Sequence, residues 1–198
     1  MRGLELGIKG SWQIEIDPFV DDRGTFFESF RLNSLEKITK RKFDVKQANT
    51  SISKMGSIRG IHFALFPLSQ AKYIQCVSGS ILDFIIDVRL GSPTFAKHVS
   101  VELHGNSHKT IFIEEGLAHA FVALEDNTKV TYLVNQYFNP NNEKSISPFD
   151  EDISIAWGDL EYILSEKDKN SDSLKEMVRT NKLPNYKDCL KHIESLKI

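Results

Sequence analysis

The stretch Lys72-Tyr73-Ile74-Gln75-Cys76-Val77-Ser78-Gly79-Ser80-Ile81-Leu82-Asp83-Phe84-Ile85-Ile86-Asp87-Val88-Arg89 decides the fold class. Two runs rich in β-branched and aromatic residues flank Ser78-Gly79-Ser80, a turn-forming triplet, and the expectation is a β-hairpin. In the second run Leu82, Phe84, Ile86 and Val88 share one face, and Asp83, Asp87 and Arg89 share the other.

Working outward, further strands follow at the spacing of an all-β barrel or sandwich. They are His98 to Leu103, Thr110 to Ile113, Ala118 to Leu124 and Lys129 to Phe138, with Gly105-Asn106 and Asp126-Asn127 in turns. Upstream, Trp12 to Val20 alternates, Asp21-Asp22-Arg23-Gly24 makes a turn, and Thr25 to Phe30 resumes an aromatic strand. Asn33 and Ser34 are N-cap residue types that start one short helix ending near Phe43. Past Trp157 the pattern changes: Ser171-Asp172 caps a repeat of Leu174, Met177 and Val178, and Leu190, Ile193 and Leu196 form a second repeat beyond Pro184. The expected architecture is mainly β, a cupin-like jelly-roll barrel over about 12–157. A helical extension over about 158–198 packs on its outside, all within one domain spanning 1–198.

Composition narrows the function classes. A hydrophobic fraction of 40%, a charged fraction of 26% and 13 Phe describe a globular chain with aromatic payload. The formal net charge is -2, and the densest basic run is Lys40-Arg41-Lys42, too short for a nucleic-acid footprint. Met1 to Gly10 lacks the basic-then-apolar order of a signal peptide, and no stretch approaches the roughly 20 apolar residues a spanning helix needs. The expectation is a cytoplasmic protein with no membrane or nucleic-acid partner. Cys76 and Cys189 lie far apart and read as reduced thiols.

Polar residues interrupt apolar strands in a few places. In Ser57-Ile58-Arg59-Gly60-Ile61-His62-Phe63-Ala64, strict alternation puts Arg59 and His62 on opposite faces. A shared site therefore requires a bulge, which Gly60 permits. Lys72, His119 and Tyr132 also sit inside strand patterns. A Lys, two His and a Tyr facing a barrel interior are costly to bury without a polar ligand or one another. Taken singly, each also has a plain reading as a rim or packing residue.

The wording of these strands resembles the dTDP-4-dehydrorhamnose 3,5-epimerase family of nucleotide-sugar enzymes. The matching pieces begin with Asp22-Arg23-Gly24, Phe27-Glu28, Gln47-Ala48-Asn49, Arg59-Gly60-Ile61-His62-Phe63, Ala71-Lys72 and Asp87-Val88-Arg89. They continue with Ser92-Pro93-Thr94-Phe95, Gly116-Leu117-Ala118-His119-Ala120-Phe121, Thr131-Tyr132 and Leu164-Ser165-Glu166-Lys167-Asp168. The resemblance implies a cupin-like jelly roll, a strand-exchanging homodimer, no cofactor and no metal. The implied partner is a nucleotide diphosphate 4-ketosugar substrate.

The resemblance also implies roles. His62 is the base, oriented by Asp168; Lys72 stabilises the oxyanion at C4; Tyr132 returns a proton from the far face. Arg23 and Arg59 match phosphate-contacting positions. Glu28 and Gln47 match base- or ribose-contacting positions, Asn49 is a further substrate-binding position, Phe26 or Tyr137 stacks on the base, and His119 lines the sugar pocket. The chain departs from the family wording at Ala64, where Gln is usual, and at Glu114-Glu115, where Pro-Glu is usual. Its spelling around Arg59 and Gly116 is closer to a branch in which some members invert only one carbon. The resemblance thus implies an epimerase that inverts C5 and/or C3.

Three rival classes make different predictions. A cofactor-free 3,4-ketoisomerase moves the ketone, a non-catalytic sugar-binding cupin exchanges no sugar protons, and a metal-dependent cupin needs converging His and carboxylate ligands. His104 and His108, the only close pair, flank a turn.

Overall fold

The computed structural model describes residues 1–198. Of thirteen strands, numbered in chain order with four short helices, eleven build two facing antiparallel sheets and two form a separate hairpin. The six-stranded sheet runs β1 (Arg2–Glu5), β2 (Ser11–Glu15), β10 (Lys109–Ile113), β7 (Lys72–Ser78), β12 (Thr128–Val134), β5 (Gln47–Ser53). The five-stranded sheet runs β13 (Glu143–Ser145), β6 (Ile58–Ala64), β11 (Ala118–Ala123), β8 (Ser80–Ile86), β9 (His98–His104). This is a jelly-roll sandwich, as expected.

The deciding stretch behaves differently from a hairpin. β7 pairs with β10 and β12, whereas β8 pairs with β11 and β9, so Ser78-Gly79-Ser80 is a corner that carries the chain from one sheet to the other. Gly79, at φ 75°, packs against Thr128, and a Cβ there would lie 2.3 Å from the threonine hydroxyl. Strand alternation records which residues share a face but not which strand lies alongside.

Three clusters stabilise the sandwich. Between the sheets pack Ile74, Cys76, Ile81, Ile85, Leu103, Ile111, Phe121 and Val130. On the outer face of the five-stranded sheet Phe84, Ile86, Val88, Ala120 and Phe63 meet Trp157, Leu174, Met177 and Leu183. β8 is thus buried on both faces, and its Leu82–Phe84–Ile86 face looks out beneath the C-terminal segment. Burial of this area at roughly 25 cal/mol per Å² holds the extension to the sheet. The outer face of the six-stranded sheet is covered by Leu35 of α1 (Leu32–Thr39) together with Phe43.

Several boundaries shift from the sequence expectations. Asn33 and Ser34 lie inside α1, whose N-cap is Arg31, with no side-chain cap, and the helix ends at Lys40 in the left-handed region. The Trp12-to-Val20 run is broken at Pro18 into β2 and β3 (Phe19–Asp21), and β3 pairs with β4 (Gly24–Phe26) as an isolated, fully exposed hairpin. β12 stops at Val134, so Asn135 to Phe138 leave the sheet. α3 (Leu174–Arg179) is capped by Ser173 rather than by Ser171-Asp172, and α4 (Tyr186–Ser195) is capped by Asn185. β1, β5, β13 and α2 (Glu166–Lys169) carried no periodic signal. No helix is long and apolar enough to cross a membrane.

Candidate active site

Gly60 does what its position demands. It adopts φ 138°, and the β6–β11 register slips by one residue between His119 and Phe121. A Cβ on Gly60 would sit 2.3 Å from Ala120 Cβ, so no other residue fits the bulge. The slip turns Arg59 and His62 into the same cavity between the sheets, a space of about 420 Å³ also lined by Ser51, Lys72, His119, Phe121, Tyr132, Lys167 and Asp168. That volume suits a sugar-sized ligand.

His62 Nε2 lies 2.6 Å from Asp168 Oδ1. The carboxylate comes from α2, whose first turn is fixed by the Ser165 hydroxyl accepting from the Asp168 N–H at 3.1 Å. Burial pushes Asp168 up, but the hydrogen bond and charge of His62 hold it below the usual carboxylate range. Within the charged stretch Glu166-Lys167-Asp168-Lys169, a one-turn helix therefore presents a buried, ionised orienting group.

A second histidine–carboxylate pair was not anticipated. His119 Nε2 lies 2.8 Å from Asp83 Oδ2, and Asp83, fully buried, is pushed up by burial against the opposing pull of His119. Its Oδ1 has no partner. Alternation puts Asp83 on the Ile81–Ile85 face, and the missing cue was that this face points between the sheets.

Lys72 and Tyr132 enter from the opposite, six-stranded sheet. Burial lowers the Lys72 ammonium, partly offset by the charges of Glu143 and Asp83, and burial raises the Tyr132 phenol. An ammonium whose charge is poorly solvated is poised to stabilise negative charge developing beside it.

Arg59 donates from Nε to Ser53 Oγ at 3.0 Å, leaving the terminal nitrogens free for an anion. Ser53 belongs to β5, whose inward residues are all polar. Gln47, Asn49, Ser51 and Ser53 alternate with outward Ala48, Thr50 and Ile52, which explains why β5 carries no hydrophobic signal. Ser51 Oγ is buried in the cavity wall without a partner. An adjoining lobe is lined by Gln47, Asn49, Gln70, Phe138 and Glu143 and shares His62, Lys72, Tyr132 and Lys167 with the main cavity. Glu143, Lys167, Ser51 and Phe138 were not singled out from the sequence.

Four expected binding residues are not in this lining within one chain. Arg23 extends from the exposed hairpin and pairs with Asp21, Phe26 is exposed at its end, Glu28 pairs with Arg31, and Tyr137 points to solvent. His108, one of the close histidine pair, packs edge-on against Phe27, and no three His, Cys, Asp or Glu side chains converge as a metal site would require.

The model of the dTDP-4-dehydrorhamnose 3,5-epimerase family matches residues 5–176. The chain belongs to this family. As a member of this epimerase family, the chain is an isomerase-class enzyme. It is 42% identical to the dTDP-4-dehydrorhamnose 3,5-epimerase of Streptomyces griseus over 96% of both chains. It is 38% identical to the dTDP-4-dehydro-6-deoxyglucose 3-epimerase of Streptomyces bikiniensis, over 91% of this chain and 93% of that one. A solved structure of the Mycobacterium tuberculosis RmlC epimerase superposes with a TM-score of 0.96 at 38% identity, covering 100% of both chains. The family likeness thus spans double- and single-centre epimerases alike.

Proposed function

We propose that this epimerase inverts C5, C3 or both in a dTDP-linked 4-keto-6-deoxyhexose through an enolate, in deoxysugar biosynthesis. The observation that carries this reading is the placement of His62 and Tyr132. The first projects from β6 of one sheet and the second from β12 of the other, into one cavity. Removal of a proton on one side of a sugar ring and its return on the other inverts the centre.

The C–H next to a ketone is too weakly acidic to ionise unaided. His62 takes the proton as the base, and Asp168 stabilises the imidazolium that forms and fixes the tautomer. The C–H electron pair moves into the ring, and the C4 oxygen gains negative charge that the Lys72 ammonium stabilises. Tyr132 then donates its phenolic proton to the opposite face of the carbon. His119, held by Asp83, lines the sugar side, while Arg59 and Lys167 supply charge for the diphosphate.

The working form in this proposal is a homodimer. Phe19, Val20 and Phe26 are exposed on a two-stranded hairpin that has no sheet to support it, and such ribbons are marginal alone. Docked against a second copy, the hairpin brings Arg23, Phe26 and Glu28 to that copy's cavity as nucleotide contacts. Product analysis tests the chemistry: the ketone stays at C4 and one or both neighbouring centres invert. A ketone at C3 identifies a ketoisomerase instead.

A further inference from the structure

Lys72 differs from its neighbours in how it is held. His62 is tied to Asp168, His119 to Asp83 and Arg59 to Ser53. The Lys72 ammonium makes no hydrogen bond or ion pair within the chain, so its place is set by backbone alone, where it is paired with Ile113 and Val134. The residue just before it is anchored. Ala71 N–H donates to Asn135 Oδ1 at 2.8 Å, and Asn135 Nδ2 donates to Glu115 Oε1 at 2.7 Å.

Asn135 is therefore a bracket of fixed polarity, because a backbone N–H can only donate and a carboxylate can only accept. Its far end is rigid. Glu115 is fully buried and receives both terminal nitrogens of Arg41, itself 1% exposed, at 2.5 and 2.8 Å. His192 of α4 stands 3.5 Å from the same carboxylate. The seam is reinforced by Gly116 N–H on Ser69 Oγ and by Gln70 Nε2 on the Gln136 carbonyl, both 3.0 Å.

We infer that Asn135 is a positioning residue for Lys72, fixing the start of β7 against the buried Arg41–Glu115 pair so that the ammonium meets the enolate oxygen. The inference rests on the role given to Lys72 above. Alanine at 135 leaves the buried Ala71 N–H unpaired, removes one of the donors to Glu115 Oε1, which keeps Arg41, and loosens residues 71–72; a displacement of about 1 Å at a catalytic group costs up to about 100-fold.

A double-mutant cycle tests it, reading solvent-exchange rate on saturating dTDP-4-keto-6-deoxyglucose in deuterated water, together with dTDP affinity. The expected result is a 10- to 100-fold slower exchange in Asn135→Ala, on the order of the loss above. With it go unchanged dTDP affinity, a larger loss in Lys72→Ala, and no further loss when both are combined. Losses that multiply in the double variant, or full activity in Asn135→Ala beside an impaired Lys72→Ala, overturn the inference while leaving the role of Lys72 intact. An unimpaired Lys72→Ala overturns both. If Asn135→Ala does not fold, Asn135→Ser, which is also too short to reach Glu115, carries the same cycle.

Discussion

His62 and Asp168, 106 residues apart in the chain, meet at 2.6 Å, and the carboxylate reaches the ring because a single helical turn delivers it. Asp168→Asn retains shape but cannot hold the same tautomer or stabilise an imidazolium. Exchange should fall on the order of 10⁴-fold with substrate binding nearly unchanged. Loss of binding with intact exchange in the bound state would contradict the assignment. His62→Asn should abolish exchange at every sugar carbon.

Tyr132 faces His62 from the other sheet. Tyr132→Phe should therefore leave proton exchange at a carbon deprotonated by His62 while blocking inversion there. Deuterium incorporation with retained configuration, seen by NMR, is the expected signature.

The pH dependence of stability should show Glu114. Burial raises its carboxyl to about 7, so its protonated form is favoured in the folded state. A group whose folded pKa is raised contributes its stability fully below the unfolded value and loses it as pH climbs through the folded one. The melting temperature should drop between about pH 4.5 and pH 7, and Glu114→Gln should flatten that fall. Glu115 has the opposite sign: Arg41 and His192 overcome its burial and bring it to about 2, so its contribution persists above about pH 4.5 and fades as pH falls toward 2. Removing it by Glu115→Ala should cost about 3–5 kcal/mol, because Arg41 is left as an unpaired buried charge.

How much of this was legible in the sequence depends on what each signal encodes. The bulge at Gly60 could be read because Arg59 and His62 break alternation on either side of a glycine, and the interior placement of Lys72, His119 and Tyr132 followed from strands that were otherwise apolar. The β7–β8 corner was misread as a hairpin because a turn triplet says nothing about whether the next strand stays in the sheet. β5 was invisible because its buried face is Gln47, Asn49, Ser51 and Ser53, an inversion that makes sense only around a polar ligand. Asp83 and Glu143 were missed because a carboxylate in a strand looks solvent-facing until the second sheet is in place.

The hairpin residues bear on assembly. Phe26→Asp should weaken the proposed homodimer in sedimentation experiments. Arg23→Ala should lower dTDP affinity about tenfold, the effect of losing one charge-assisted contact, without changing the exchange rate of bound substrate.

The central claim is carbon deprotonation next to a C4 ketone. Its most direct measurement is incubation of the protein with dTDP-4-keto-6-deoxyglucose in deuterated water while the C3 and C5 proton signals are followed by NMR. The account predicts loss of signal at one or both carbons in wild type and none in His62→Asn. Persistence of both signals in wild type would contradict it.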